Sequence, residues 1–252
     1  MYNQLDTITI KYLLKVRVHL GRHQKQLEQK INSYLYGIKH NISIFNIEKI
    51  FWILRHFFQN LINFFNEQNS FFIVATESKL PIKQFLRAFE KNKIFQYSIY
   101  NTLHFDGFIQ HKWLNGLFSN WKIIFNLLKK INTLEKSLKR KTYKNLIKHF
   151  EGLKYKKKNP VLVDFVLVLN SNNKVLNEIL RENIPTFGIT DSNQDPSWFF
   201  YSLIMNNNSI ESIKLFFYLL ESSLKESILK EQELLCKLIW IKIKNILNKT
   251  IL

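Results

Sequence analysis

The stretch VLVDFVLVLNSNNKVLNEILRENIPTFGIT, residues 161–190, carries the strongest secondary-structure signals in the chain. Its first part, VLVDFVLVL at 161–169, is apolar except for Asp164, which is typical of a strand covered on both faces. VLNEILREN then has the apolar spacing of a helix, and IPTFGIT is a second strand-like run. A strand, a helix and a strand in succession predict a right-handed crossover between parallel neighbours.

The alternation of strand and helix signals continues on both sides of this stretch. FFIVAT at 71–76 is a continuous apolar run and predicts another covered strand, and WFFYSLI at 198–204 predicts one more. ISIFNI at 42–47 alternates apolar and polar residues, which indicates a short strand. The fold class is therefore α/β, with a parallel sheet of the flavodoxin-like or Rossmann-like kind and helices on both faces.

Three further segments have the spacing or the start signal of helices. Between residues 47 and 65 the apolar positions of IEKIFWILRHFFQNLINFF recur at intervals of three and four. Pro81 suits the first turn of a helix that runs through IKQFLRAFEKN, because the N–H that proline lacks is not needed there. The tail from Ser209 onward predicts more helices.

Residues 123–158 break the alternation and carry much of the charge. Between Lys129 and Lys158 there are 12 Lys or Arg residues against two Glu. Two apolar stripes at helical spacing predict a protruding antiparallel helical hairpin, although one bent helix fits the pattern too. The first stripe consists of Leu127, Ile131, Leu134 and Leu138, and the second of Tyr143, Ile147, Phe150 and Leu153.

The chain divides at this basic segment into four parts. Residues 1–122 form the first part of the α/β domain with a basic N-terminal segment, and 123–158 form the basic helical hairpin. Residues 159–220 complete the α/β domain, and 221–252 are a C-terminal helical extension.

The net charge of the chain predicts a polyanionic partner. A formal charge of +18 and a pI near 9.8 point to nucleic acid or an anionic membrane surface. We expect no membrane insertion, because no apolar run approaches the roughly 20 residues needed to span a bilayer. The single cysteine, Cys236, excludes an internal disulfide framework.

The amino-acid usage points to an organelle. Lys, Asn, Ile and Phe, which have AT-rich codons, make up 111 of the 252 residues, and Ala occurs twice. The N-terminus has neither the charged and apolar regions of a signal peptide nor the composition of a transit peptide. Together these features suggest a gene that is encoded and translated inside the organelle.

Cofactor and metal sites are not expected. The six glycines are scattered, and no glycine-rich phosphate loop is present. His19 and His23 are four residues apart, but Gly21 between them argues against a shared helix face. One cysteine cannot supply the thiolates of a structural zinc site.

Three acidic residues are candidates for enzymatic chemistry. Asp191 and Asp195 follow the strand IPTFGIT, where parallel-sheet enzymes place acids or metal ligands. The favoured explanation is a loop whose Asp and Asn side chains bond to their own backbone before Pro196. Asp164, inside an apolar run, is expected to be a buried structural acid with a partner.

Basic residues near the N-terminus favour RNA. Arg and Lys side chains recur among flat rings over residues 17–39, and such rings can stack on unpaired bases while the cations contact phosphate. A solvated basic face is the alternative. The basic residues are Arg17, Arg22, Lys25, Lys30 and Lys39, and the residues around them are His19, Gly21, His23, Tyr34 and Tyr36.

The segment HKWLNGLFSNWK, residues 111–122, concentrates rare residues. Trp113 and Trp121 predict a compact loop that both indoles anchor, and Gly116 between them allows a backbone conformation closed to other residues. The loop is expected to enter a helix at about Ser119 as N-cap and to fix the angle of the hairpin. Lys112 and Lys122 would then face RNA phosphate, although both tryptophans could be core residues alone.

Several segments, in this order, resemble the bacterial-type ribosomal small-subunit protein two (S-two) family. The match covers roughly residues 11–220, and the tryptophan segment followed by the DSNQDP loop is its most specific part. The segments are VHLGRHQ (18–24), INSYLYGIKHNISIFNIEKI (31–50), FFIVATES (71–78), HKWLNGLFSNWK (111–122), VDFVLVLNSNN (163–173) and ENIPTFGITDSNQDP (182–196).

The resemblance implies a non-catalytic protein of the small ribosomal subunit. Family members lie on the solvent side between head and body, contact small-subunit rRNA and, in bacteria, help to hold the large S-one protein. Carried over by position, the motif residues are His19, Gly21, Tyr36, Gly37, Lys39, Trp113, Gly116, Asn120, Trp121, Lys122, Asp191, Asn193 and Asp195.

The chain departs from the family pattern in three places. Arg22 stands where many members have His, the hairpin segment is about 20 residues shorter than usual, and the residues after about Leu220 have no clear counterpart. The shortening puts the reach of the hairpin in doubt, together with any partner that grips its tip.

The resulting prediction is a structural constituent of the small ribosomal subunit of a mitochondrion, bound to small-subunit rRNA and neighbouring ribosomal proteins and not a homo-oligomer. The alternatives are an enzyme acting on an anionic substrate through Asp191 and Asp195, and an RNA-binding protein outside the ribosome. The predicted RNA-binding residues are Arg17, His19, Arg22, His23, Lys25, Lys30, Lys39, Lys112, Trp113, Lys122, Lys139, Arg140 and Lys141.

Overall fold

The N-terminal part of the chain forms a small unit around an antiparallel sheet. The computed structural model describes residues 8–67, 69–76, 104–110, 113, 115–134 and 163–250. Helix α1 (Ile10–Lys15) is followed by strands β1 (Leu20–His23), β2 (Leu35–Lys39) and β3 (Ile42–Phe45), and two 3-10 turns connect β1 to β2. β3 lies between β1 and β2 and is antiparallel to both. The strand predicted at 42–47 is confirmed, but it belongs to this separate sheet.

A tight hairpin joins β2 to β3. Its two loop residues, His40 and Asn41, both have positive φ, 50° and 60°. Two successive residues in this region are typical of the type I′ turn, whose twist matches that of the flanking strands.

Five parallel strands form the central sheet. They are β4 (Ser70–Ala75), β5 (His104–Gln110), β6 (Phe165–Asn170), β7 (Thr186–Thr190) and β8 (Tyr201–Ile204). They lie in the order β5-β4-β6-β7-β8, and each neighbouring pair is parallel. The first strand of this set therefore lies between the second and the third, which is the flavodoxin-like order, and the predicted fold class is confirmed.

Helices cover both faces of the sheet. Helices α2 (Ile47–Asn66) and α5 (Ile210–Thr250) pack on one face, and α3 (Trp121–Leu134) and α4 (Asn173–Arg181) on the other. Successive residues of β4 contribute to the two cores in turn, since Phe71, Ile73 and Ala75 join the α2–α5 side and Phe72 and Val74 join the α3–α4 side. Every residue of β6 is buried, as its unbroken apolar run predicts.

The prediction for Asp164 is partly wrong. The strand begins one residue later, at Phe165, and Asp164 is exposed just before the first residue of this central strand. It does have a partner, because its carboxylate accepts hydrogen bonds from the backbone N–H of Ser70 at 2.6 Å and from the Ser70 hydroxyl at 2.8 Å. Asp164 therefore ties the start of β6 to the start of β4.

The predicted helical segments differ in how far the structure describes them. The tail is one continuous helix, α5, which passes residue 220 without a break. In α3, Trp121 and Ile124 face the sheet, whereas Leu127 of the first predicted stripe is 44% exposed. The helix predicted after Pro81 and the rest of the predicted hairpin lie outside the described residues. No helix within the described ranges is long and apolar enough to cross a bilayer.

Candidate nucleic-acid interface

Arg22 joins the N-terminal unit to the carboxyl edge of the parallel sheet. Its backbone N–H donates to the Ser192 hydroxyl at 2.7 Å, and its Nε donates to Asp191 Oδ2 at 3.2 Å. Its terminal nitrogen donates to Asn207 Oδ1 at 3.1 Å and to Asn208 Oδ1 at 3.3 Å. One side chain in β1 therefore contacts the loops that follow both β7 and β8.

Asp191 is the buried end of this network. Its side chain has no exposed surface, and burial raises the pKa of its carboxyl, against the opposing effects of the Ser192 N–H and the Arg22 guanidinium. The backbone N–H of Ser192 donates to Asp191 Oδ1 at 2.7 Å. A carboxyl that is enclosed and held on both oxygens anchors Arg22, and it is poorly placed to act on a substrate.

Lys30 makes a second link between the same two regions. Its Nζ pairs with Asp195 Oδ2 and donates to the Ser197 hydroxyl at 3.2 Å. Asp195 also caps the short 3-10 turn Pro196–Trp198 by accepting from the Ser197 N–H at 2.9 Å. Although burial alone would raise it, the hydrogen bonds from Lys30 and Ser197 bring the pKa of Asp195 below its ordinary value.

Asp195→Asn is expected to destabilise the protein by at most about 1 kcal/mol, because the Lys30 side chain is 61% exposed and water competes for the pair. The folded pKa is lowered, so the stabilisation is present above the unfolded value of 3.8 and is lost as pH falls through the folded value. Urea unfolding at pH 7 and at pH 3 measures both effects. A loss of several kcal/mol at pH 7 would contradict this assignment.

His19 lies beside a shallow pocket at the outer side of the N-terminal unit. The pocket has a volume of about 300 Å³, and its lining includes His19, Tyr36, Ile44 and Glu48. Burial lowers the pKa of the His19 imidazole, so the ring is neutral at pH 7. Tyr36 is 82% exposed and presents its ring to solvent. The pocket combines an exposed ring with a neutral imidazole, which suits stacking better than ion binding.

Four more predicted RNA-binding residues of this unit have side chains exposed to solvent. Arg17, His23, Lys25 and Lys39 are all exposed. Within the described ranges no three His, Cys, Asp or Glu side chains come together as metal ligands, and this includes the surroundings of His19 and His23.

Glu178 on α4 organises the tryptophan loop. Its Oε2 accepts from Trp113 Nε1 at 2.8 Å and from the Gly116 N–H at 3.0 Å, and its Oε1 accepts from the Phe118 N–H at 3.0 Å. Gly116 has a φ of +79°, as predicted for the residue that lets the loop turn. Sequence analysis missed Glu178, whose three partners lie at least 60 residues away along the chain.

The two tryptophans have different roles. Trp113 is half-buried and anchored by Glu178, whereas Trp121 packs into the α3–α4 core and its indole N–H has no partner within the described part of the chain. The first helical hydrogen bond runs from the Ile124 N–H to the Asn120 carbonyl. Asn120, one residue after the predicted Ser119, therefore occupies the cap position.

The structure sorts the predicted RNA-binding residues into two groups. One group surrounds β1 and β2, where Arg22 and Lys30 contact the loop after β7 and their neighbours stay exposed. The other lies on the α3–α4 side, with the Trp113 ring against the core and Lys122 exposed on α3. Lys112, Lys139, Arg140 and Lys141 lie outside the described residues.

Comparison with known proteins gives one consistent result. A family model described as Ribosomal protein S2 matches residues 13–227. The small ribosomal subunit protein uS2 of Chlamydia caviae is 26% identical over 246 residues, which covers 91% of this chain and 82% of the relative. The uS2 proteins of Rickettsia felis and Ehrlichia ruminantium are each 24% identical, over 85% and 89% of this chain and 73% and 78% of their own lengths.

Proposed function

The chain belongs to the ribosomal protein S2 family, and from this membership we propose how it serves as a structural constituent of the small ribosomal subunit. It binds small-subunit rRNA through the exposed basic residues of its N-terminal unit. The parallel-sheet domain holds that unit in a fixed orientation. Neighbouring small-subunit proteins are its other partners, and it works as a single copy without catalysis.

The observation that carries this proposal is that two cations around β1 are paired with acids, whereas three others are exposed. Arg22 and Lys30 are paired with acids of the loop after β7, so they fix the unit on the sheet. Arg17, Lys25 and Lys39 are exposed around them. Exposed cations on a fixed scaffold bind RNA by displacing counterions from phosphates, without reading base sequence.

A nearby ring and imidazole add a contact that suits single-stranded RNA. Tyr36 and His19 line the pocket of this unit, and a flat exposed ring is a stacking surface for an unpaired base. We propose His23 as a further contact in this group. Trp113, Lys112, Lys122, Lys139, Arg140 and Lys141 are proposed as a second RNA-facing group.

We propose the mitochondrion as the location of this ribosome. The excess of Lys, Asn, Ile and Phe supports an organellar gene, and relatives from Rickettsia and Ehrlichia are compatible with it. Sucrose-gradient sedimentation of an organelle extract tests location and function together. We expect the chain to migrate with the small subunit. A chain that stays at the top of the gradient would overturn the ribosomal role and favour an RNA-binding protein outside the ribosome.

Binding of the purified chain to small-subunit rRNA is expected to weaken steeply with salt. Between about 50 and 200 mM salt the affinity should fall by about a thousandfold or more, because each neutralised phosphate releases counterions. Filter binding at several salt concentrations measures the slope. A flat response over this range would contradict binding through phosphates.

Single substitutions distinguish the basic residues that contact RNA from those that do not. Arg17→Ala and Lys39→Ala should each lower the salt slope by about one, as expected for the loss of one phosphate contact. Lys214→Ala is the matched control, because Lys214 is also exposed but lies on α5. Equal effects of all three substitutions would mean that the net charge, and not this face, determines binding.

A further inference from the structure

An open aromatic groove lies on the side of the protein where α2 passes β8. It has a volume of about 520 Å³, and its walls include Trp52 and Phe200, each 66% exposed. Phe57, which is almost fully buried, forms part of its lining, together with His56 and Ser202. Two large exposed rings beside a concave apolar surface are the usual composition of a protein-binding anchor site.

The groove runs along the outer edge of the parallel sheet. β8 pairs with β7 on one side, and no described strand pairs with its other side. The Met205 N–H donates to the Thr190 carbonyl at 3.1 Å, so residues 201, 203 and 205 turn their backbone groups toward β7. By the alternation of a strand, the N–H and C=O of Ser202 point outward into the groove.

The chain itself already uses an outward position farther along this edge. The Asn206 N–H, which points the same way as that of Ser202, donates to the Val18 carbonyl at 3.1 Å. Backbone therefore pairs with this edge at its carboxyl end, and Ile204 between the two positions is fully buried. The open part of the edge is centred on Ser202.

Charge decides which class of partner fits. Among the described residues that line the groove, none is Lys, Arg, Asp or Glu, on a chain whose net charge is +18. A phosphate backbone gains little at such a surface, because affinity for RNA comes chiefly from cations beside phosphates. An uncharged aromatic groove next to free backbone groups is suited instead to an extended polypeptide.

We propose that an extended segment of a neighbouring small-subunit protein docks in this groove. Its backbone exchanges hydrogen bonds with the N–H and C=O of Ser202, and one large apolar side chain inserts between Trp52 and Phe200. The proposal rests on the ribosomal role, and it adds a protein-binding face beside the basic residues around β1, since Tyr34 lines the groove.

Directed cross-linking tests the identity of the occupant. The single natural cysteine allows a Cys236→Ser background, in which Ser202→Cys carries a thiol-linked benzophenone. Small subunits stripped of the protein are rebound with the labelled chain, irradiated and analysed by mass spectrometry. The same label at Tyr218→Cys, an exposed position of α5, is the control. We expect a peptide of another small-subunit protein to be attached at position 202 and absent at 218.

The other outcomes overturn the proposal in different ways. Cross-links to rRNA would make the groove a base-binding site, and cross-links to a second copy would make it a self-association surface. Rebinding without any cross-link specific to position 202 would mean that the groove is unoccupied. In all three cases the ribosomal role stands, whereas failure of the unlabelled chain to rebind would count against that role itself.

Two pairs of variants measure the contacts without a label. Ser202→Pro removes the outward N–H but no bond to β7, whereas Ser202→Ala keeps it, so only the proline variant should rebind several-fold more weakly. Trp52→Ala should weaken rebinding about tenfold, the effect of losing one aromatic anchor. Leu229→Ala, an exposed apolar residue on α5, should have no effect. Unchanged rebinding of both Ser202→Pro and Trp52→Ala would overturn the proposal.

Discussion

Replacement of Glu178 by alanine is expected to destabilise the protein by about 3 kcal/mol. The substitution removes a carboxylate that accepts three hydrogen bonds, from the Trp113 indole and from the backbone N–H groups of Gly116 and Phe118. Hydrogen bonds to a charged acceptor contribute about 1.5–3 kcal/mol each, and a part-buried site lets water replace some of that. Urea unfolding followed by tryptophan fluorescence measures the loss.

Two further variants separate the role of the carboxylate from a general effect on α4. Glu182→Ala removes another half-buried glutamate, which lies four residues later at the C-cap of α4. This substitution should change the unfolding midpoint little. Glu178→Gln keeps one carbonyl oxygen but turns an amide toward N–H donors, so an intermediate loss is expected. Equal midpoints for Glu178→Ala and the native protein would show that the loop holds its shape without this anchor.

The effect should be visible at Trp113 before the protein unfolds. With its indole N–H released from Glu178, the half-buried ring gains freedom next to the Phe118 ring, which lies 5.5 Å away between centroids. Trp121, buried in the α3–α4 core, should be unaffected. A red shift of native-state emission in Glu178→Ala, absent in Glu178→Ala combined with Trp113→Phe, would assign the change to Trp113.

The tryptophan loop shows which part of the site could be predicted from sequence. Gly116 and the two indoles marked a compact turn, because residues with special backbone freedom or large rings stand out locally. Glu178 did not stand out, since on an amphipathic helix an acid between apolar positions looks like part of the solvent-facing side. Its role depends on a contact across 62 residues from Gly116, which no local pattern encodes.

The same limit applies to the prediction of the fold from sequence. Long apolar runs and helical periods predicted the parallel sheet and its covered faces, because burial on both sides leaves an unbroken signal. Strands β1 and β2 were missed, since they are short and largely exposed or half-buried and show no clean alternation. Strand β5 was missed too, because Asp106 and Gly107 interrupt its apolar run. The flavodoxin-like order also depends on which strands pair, and sequence analysis therefore left the two kinds of sheet undecided.

Arg22 shows that a cation expected to contact phosphate can pair with a carboxylate of its own chain. Its guanidinium was predicted to meet phosphate, and the structure places it against Asp191, which lies 169 residues away. The predicted acids and the predicted cations thus meet each other at one junction. Gly21, the residue just before Arg22, allows β1 to approach this junction closely.

Gly21→Ala is expected to destabilise the protein by about 3 kcal/mol. A methyl group at this position would overlap the Ser43 hydroxyl oxygen and lie 2.9 Å from the Ser192 hydroxyl oxygen. Both hydroxyls are engaged, because Ser43 donates to the Arg22 carbonyl at 2.9 Å and Ser192 accepts from the Arg22 N–H. Overpacking costs about 1–3 kcal/mol, and the two displaced hydrogen bonds add to it.

Gly37→Ala is the matched control for this substitution. It makes the same chemical change in β2 of the same antiparallel sheet, at a position where no atom lies within 4 Å of the added methyl group, so we expect a change below about 0.5 kcal/mol. Gly21→Ala combined with Ser43→Ala should recover part of the loss, because the nearest clashing atom is removed while Ser192 stays. Urea unfolding of the four variants, including Ser43→Ala alone, measures these differences. If Gly21→Ala and Gly37→Ala unfold at the same midpoint, close approach at Gly21 does not hold β1 against the sheet. The basic face would then be positioned by the other contacts of the unit, which include those of Arg22, Lys30 and Val18.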